Sequence, residues 1–246
     1  MANRKLKPAV SSRSKSTKLK RSDTILTDKI PFHITEAYKT LRTNVLYSIA
    51  TTGNKVIAVS SALPGDGKST TCANLAITLA QTGAKVILID ADLRKPVQYK
   101  IFRANNSLGL SRALVGFNKL EECIKPGVSP GLDLLSSGPI PPNPAELLGS
   151  KNMRELIEYL KTVYDYIVID TPPINIVTDA LVILNPEVDI ALVTRQHQTT
   201  YEELEKAIES VKVTNSNFIG VIVTSVRQES KWYRRGNYGY YRYEYK

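Results

Sequence analysis

Val56-Ile-Ala-Val-Ser-Ser-Ala-Leu-Pro-Gly65-Asp66-Gly67-Lys68-Ser69-Thr70 decides the fold of this 246-residue chain. Val56–Ser60 is a short apolar run of strand type, a glycine turn follows, and Lys68 opens a helical stretch. A strand entering a helix through such a turn aims successive backbone N–H groups at one point, and the helix N-terminus adds positive potential there. The pattern is GxxxxGK[ST], with Ala62 where the first glycine normally stands. Alanine is small enough to keep the turn. Gly65, Asp66, Gly67, Lys68, Ser69 and Thr70 are therefore the expected nucleotide-phosphate cradle. Lys68 is placed to reach the β/γ-phosphates and the Ser69 hydroxyl to reach Mg²⁺.

Outward from this loop, apolar runs and amphipathic stretches alternate. Further strands are expected at Val86–Ile89, Leu132–Leu135, Tyr166–Ile169, Ile190–Thr194 and Phe218–Val223. Helical spacing joins Ile34, Ala37, Tyr38, Leu41, Val45 and Ile49, with Thr35 as a candidate start, and it also joins Met153, Leu156, Ile157 and Leu160. A third helical face carries Tyr201, Leu204, Ile208 and Val211. Short apolar strands alternating with helices imply an α/β fold, a mostly parallel sheet with helices on both faces. Pro139–Pro144 reads as a stiff loop, and no internal repeat is present.

The net charge of +10 divides unevenly: +8 on residues 1–21, +4 on residues 227–246, and −2 on the body between. The basicity belongs to the ends, where it suits phosphate-rich surfaces. Three segments follow: a flexible basic arm (1–30), a phosphate-loop domain (31–225) and a tyrosine-rich flexible segment (226–246). The last holds Tyr233, Tyr238, Tyr240, Tyr241, Tyr243 and Tyr245, six of the thirteen tyrosines. Cys72 and Cys123 have neither disulfide nor metal spacing and read as reduced thiols. No apolar h-region follows the basic start, so no signal peptide is expected. The longest apolar runs are far short of the roughly 18 residues a membrane helix needs.

Asp90 and Asp92 follow the strand at Val86–Ile89, and Asp170 ends the strand at Tyr166–Ile169. Ligands of open α/β sheets bind at the carboxyl ends of the strands. Carboxylates there can hold Mg²⁺ or take a proton from an incoming hydroxyl. Their bland role is to cap a helix or to pair with Arg94 and Lys95.

These three segments resemble the Walker A, Walker A′ and Walker B motifs of the bacterial protein-tyrosine kinases. The likeness is to the cytoplasmic kinase subunit of capsular and exopolysaccharide synthesis. It covers about residues 30–225, and the tyrosine cluster matches as well. The resemblance implies a P-loop NTPase three-layer sandwich that uses ATP and Mg²⁺. It further implies that Lys68, Ser69 and Thr70 hold Mg·ATP, that Asp90 accepts the tyrosine proton, that Lys68 and Asp92 complete the catalytic set, and that Ser69, Asp92 and Asp170 serve the metal. Phosphate would pass in trans to the six C-terminal tyrosines. Glu36-Ala-Tyr-Lys39-Thr-Leu-Arg42 resembles the family's ExxRxxR helix, which joins subunits into a ring. Lys39 stands at the first arginine, keeping the charge without the planar fork. Implied partners are further copies in that ring, a membrane-embedded activator of the polysaccharide co-polymerase type, and a cognate tyrosine phosphatase. The implied location is cytoplasmic, peripheral to the inner face of the membrane through the activator.

Two other readings compete. Partition and septum-site ATPases share the motifs, and water would then receive the phosphate. They carry a signature lysine five residues before the loop lysine, and here that position is Leu63. Alternatively, Tyr, Arg and Gly interleaved near the C-terminus could stack on single-stranded nucleic acid or sit at lipid. Leu63 favours the kinase over the ATPase switch, the phosphate loop and its three carboxylates tell against a non-enzymatic adaptor, and no specific nucleic acid is expected. No adenine contact is readable from Val223-Thr-Ser-Val226. His33 and His197 show no ligand spacing.

Overall fold

The computed structural model describes residues 25–27 and 30–226. In chain order its strands are β1 (Val56–Ser61), β2 (Val86–Asp90), β3 (Ile124–Ser129), β4 (Leu132–Leu135), β5 (Tyr166–Asp170), β6 (Val188–Arg195) and β7 (Asn217–Thr224). The helices are α1 (Phe32–Ala50), α2 (Lys68–Ala80), α3 (Gln98–Ile101), α4 (Leu110–Leu114), α5 (Leu120–Cys123), α6 (Pro144–Leu148), α7 (Lys151–Val163) and α8 (Tyr201–Lys212). The sheet order is β3-β4-β2-β5-β1-β6-β7, and every pairing is parallel except β3 with β4.

Each central strand is apolar on both sides because both faces of the sheet are covered. Side chains alternate along a strand. Ile57, Val59, Leu88 and Val168 turn to the face packed by α1 and α2, where Val45, Ile49, Leu75 and Leu79 meet them. Val56, Ala58, Ile87 and Ile169 turn to the other face, where Met153, Leu160, Ala207 and Val211 of α7 and α8 lie. The result is the expected three-layer sandwich, with the core in two slabs separated by the sheet.

All six expected strands form, each at or slightly beyond its expected bounds. The seventh, β3, was not expected. Its sequence Ile-Lys-Pro-Gly-Val-Ser is half-exposed, carries a proline, and its pairing with β4 breaks between Lys125 and Ser129. Edge strands tolerate such residues, and hydropathy does not reveal them. Helix α1 begins at Phe32 after Pro31, and Thr35 is not its cap. Proline presets the backbone for a helix start and lacks the N–H that would need a cap. Only Val45 and Ile49 on the expected apolar face are fully buried, and Ile34 is exposed. The packed body also reaches back into the expected arm. Leu26 is buried and its N–H donates to Asn74 Oδ1 at 2.8 Å. The rest of the arm, through residue 24, lies outside the described residues.

The chain after β4 approaches the start of α4 closely. A methyl on Gly109 would lie 2.2 Å from the Ser136 carbonyl oxygen and 2.3 Å from the Gly138 nitrogen. The Leu110 N–H donates to that same Ser136 carbonyl at 2.7 Å, and Ser111 N–H to Ser137 O at 2.9 Å. Gly109→Ala must push two backbone segments apart and break this clasp. We expect about 3 kcal/mol of lost stability, read as a lower urea midpoint at unchanged slope. A midpoint matching the unsubstituted chain would show that the clasp yields freely.

Candidate active site

The sheet order sets the site. β5 lies between β1 and β2, and in the parallel register Asp90 pairs with Asp170 while Val59 also pairs with Asp170. The carboxyl ends of the three strands therefore deliver the phosphate loop, Asp90 and Asp170 to one edge. Gly65 and Gly67 take φ of +94° and +95°, a region that disfavours a side chain. With those turns the chain enters α2 at Lys68, and Lys68, Ser69 and Thr70 line a cleft of about 730 Å³.

Lys68 Nζ is the hub. It donates to Asp92 Oδ2 at 3.0 Å, Asp170 Oδ1 at 3.1 Å and Ser69 Oγ at 3.1 Å. Three oxygens of different elements thus converge on one cation. Burial works to strip the Lys68 proton, but Asp170 and Asp92 overcome it and hold the ammonium well above the ordinary lysine range. Of the three acids, Asp92 alone lines the cleft, and Asp90 and Asp170 are fully buried at its base.

Asp90 is engaged by backbone. Oδ2 accepts the N–H groups of Val97 at 3.0 Å and Gln98 at 2.9 Å, and Oδ1 accepts that of Asp92 at 3.3 Å. It thereby ties down both ends of the 92–98 loop. Burial first, and the Asp170 carboxylate second, push Asp90 up to about 8. Asp92 Oδ1 in turn accepts the Lys95 N–H at 3.0 Å. Arg94 turns away from these acids and grips the buried Asp179, Nε to Oδ2 at 2.8 Å and Nη2 to Oδ1 at 3.0 Å. Asp90→Asn swaps one accepting oxygen for a donor facing backbone N–H groups. We expect about 2 kcal/mol of lost stability without nucleotide, seen as a lower melting temperature. An unshifted melt would show that the carboxylate does not hold the loop.

Asp66, expected in the cradle, does not line the cleft. Its side chain turns inward, where Oδ1 accepts the Thr199 hydroxyl at 2.7 Å and Oδ2 the Leu63 N–H at 3.3 Å. Its carbonyl accepts the Thr224 hydroxyl at 2.7 Å. Asp66 therefore fastens the loop to the ends of β6 and β7. The Thr200 capping box that starts α8 fixes the neighbouring Thr199. Arg195 and Gln198 reach the carbonyls of Gly65 and Pro64 at 3.4 and 3.2 Å. None of these loop supports was visible in the sequence, because their partners lie some 130 to 160 residues away.

Glu36, Lys39 and Arg42 stand on α1, away from the cleft. Lys39 pairs with Glu36 at 2.9 Å, and Arg42 Nη1 donates to the Thr78 carbonyl of α2 at 3.0 Å. The six tyrosines from Tyr233 to Tyr245 lie outside the described residues.

The donor set suits Mg²⁺ bound with a nucleotide. Among the described residues no three His, Cys, Asp or Glu side chains cluster as a metal site. Two carboxylates and one hydroxyl are the hard, incomplete set that Mg²⁺ accepts when substrate phosphate and water fill its shell. The buried Gln98 Oε1 beside this network has no donor among the described residues. Among the described residues no helix is long and apolar enough to cross a membrane.

Comparison with known proteins agrees with this geometry. Residues 54–220 match a family described as an AAA domain. Tyrosine-protein kinase YwqD of Bacillus subtilis is 42% identical over 84% of this chain and 85% of its own length. Tyrosine-protein kinase wzc of Salmonella typhimurium is 37% identical over 85% of this chain, which spans 29% of that longer protein. The kinase domain of Escherichia coli tyrosine kinase ETK superposes with a TM-score of 0.76 at 32% identity, covering 89% of this chain and 87% of that one. A family match over more than half of the chain, a close relative covered for most of its length, and a phosphate loop with its acids in place lead to one conclusion: the chain belongs to the bacterial tyrosine-protein kinases.

Proposed function

We propose that this chain is an ATP-dependent autokinase that phosphorylates the cluster Tyr233, Tyr238, Tyr240, Tyr241, Tyr243 and Tyr245 of a neighbouring copy. The carrying observation is the convergence of Lys68, Ser69, Asp92 and Asp170 at the base of one open cleft. The loop N–H groups and Lys68 bind the phosphates, and Ser69, Asp92 and Asp170 hold Mg²⁺. When bound, Mg²⁺ neutralises phosphate charge, which is most of what phosphoryl transfer asks of a protein. The acceptor tyrosine oxygen forms a bond to the γ-phosphorus of ATP, the bond to the β-γ bridging oxygen breaks, and ADP leaves. Asp90 takes the tyrosine proton. In the conformation described Asp90 is fully buried under the 92–98 loop, with Oδ1 accepting only the Asp92 N–H, so the tyrosine hydroxyl would approach Oδ1 by a small shift of that loop.

The walls of the cleft suit a tyrosine near phosphates. Ile140, Ile176 and Pro173 offer an apolar side, and Arg94, Lys95 and Lys100 a basic one. A second copy would bring its tyrosines through a ring contact built on Glu36, Lys39 and Arg42. The family likeness supports a place in capsular or exopolysaccharide synthesis. With it come a membrane-embedded activator that keeps the kinase at the inner face of the membrane and a phosphatase that resets it.

The test is incubation of the purified chain with Mg·ATP, with and without a candidate activator segment, followed by mass spectrometry. Phosphate on Tyr233–Tyr245, lost in Asp90→Ala, is the expected result. ATP hydrolysed with the tyrosines bare, activator present, would overturn the proposal in favour of an ATPase switch.

A further inference from the structure

We infer that Gln98 is a positioning residue that aims the Asp170 carboxylate and locks the 92–98 loop to the phosphate-loop helix. Its side chain is fully buried. Nε2 donates to Asp170 Oδ2 at 2.8 Å and to the Ser69 carbonyl at 3.0 Å. Its backbone N–H donates to Asp90 Oδ2 at 2.9 Å. One residue thus touches all three parts of the site: the acid at the end of β2, the acid at the end of β5, and the first turn of α2.

The chemistry follows from which atoms are left free. Gln98 occupies Asp170 Oδ2, so the carboxylate cannot spin, and Oδ1 stays turned toward Lys68 Nζ and the Ser69 and Asp92 oxygens around it. Carboxylates that bind metals need such outer partners, whose loss typically costs roughly 10–100-fold in metal affinity. The amide can serve only in the orientation described, because its oxygen set against the Asp170 carboxylate would be repelled. Gln98 Oε1 then remains as a buried acceptor with no donor among the described residues. A merely space-filling glutamine would have no reason to bury a polar end in that state. Gln98 also belongs to the same loop as Asp92. It therefore couples the placement of one metal-facing acid to the other through the loop that carries Asp92.

The inference rests on the proposed metal role of Ser69, Asp92 and Asp170, and its test separates the two. Mn²⁺ binding to the full chain in the presence of ADP is measured by electron paramagnetic resonance for four proteins: the unsubstituted chain, Gln98→Met, Asp170→Asn and the double variant. Gln98→Met should weaken Mn²⁺ roughly 10-fold. The same change made on the Asp170→Asn background should cost less than about 2-fold, because Gln98 acts through Asp170. A thermal melt of each protein, with ADP affinity measured without metal, shows whether the fold and the nucleotide loop are intact. Equal losses on both backgrounds, or unchanged Mn²⁺ affinity in Gln98→Met, would overturn the inference. Failure of the unsubstituted chain to bind Mn²⁺ with ADP would instead overturn the metal reading beneath it.

Discussion

Lys68→Met should reduce tyrosine phosphorylation by at least about 10³-fold and, unusually for an active-site change, should also unsettle the empty protein. The first effect follows from removing a preorganised cation at the transferring phosphoryl group, worth factors of this order. The second follows from what Lys68 does without substrate. Its ammonium neutralises Asp92 and Asp170 at 3.0 and 3.1 Å, and both acids are buried. Taking one partner from a buried ionic cluster leaves uncompensated charge, typically at a cost of about 3–5 kcal/mol. We expect the lower end, about 3 kcal/mol, because Asp92 borders the open cleft. In a domain of this size that lowers the melting temperature by roughly 6–12 °C.

Mg²⁺ supplies the control. In the unsubstituted chain a cation must compete with Lys68 for the same oxygens. In Lys68→Met the oxygens are open, so Mg²⁺ without nucleotide should raise the melting temperature of the variant more than that of the parent. The measurement is a pair of calorimetric scans at zero and several millimolar Mg²⁺. A variant that melts with its parent, or that ignores Mg²⁺, would mean that the carboxylates are satisfied by other means.

The sequence carried the strands best where burial on both faces made them continuously apolar, as in β1, β2 and β5. Asp90 and Asp170 end such strands and Asp92 stands two residues beyond one, so their positions were readable. It failed at β3, whose edge position frees it from an apolar pattern. It also failed wherever a side chain works at long range. Nothing local marks Gln98, Thr199 or Thr224 as supports of the loop or of Asp170, since their partners lie far away in the sequence. Asp66 shows the converse: a residue inside the motif, expected to cradle phosphate, turns its carboxylate inward to hold the loop together. Arg94 and Lys95 were natural partners for Asp90 and Asp92 by proximity. Backbone N–H groups take that place, and Arg94 binds Asp179 instead.

The second large effect concerns which copy receives the phosphate. β7 ends at Thr224, whose hydroxyl is bonded to the phosphate loop, so residues beyond it start beside the ATP-binding edge. Tyr233 lies seven positions beyond Val226. Extended, those seven steps span at most about 25 Å. Reach within one chain is thus open to the nearer tyrosines, and geometry alone does not force exchange between copies. Exchange between copies rests on the family likeness, and the sheet does not bar the alternative: β2 lies four strand spacings from β7, about 19 Å, within that reach. Mixing decides the matter. One protein carries Lys68→Met with its tyrosines intact, and the other is active with all six tyrosines changed to Phe. Each alone should incorporate almost no phosphate, and the mixture should label the Lys68→Met chain at a rate that rises with concentration. A mixture as silent as its parts, beside an unsubstituted chain whose specific labelling rate does not change on dilution, would place the reaction within a single copy and overturn the exchange.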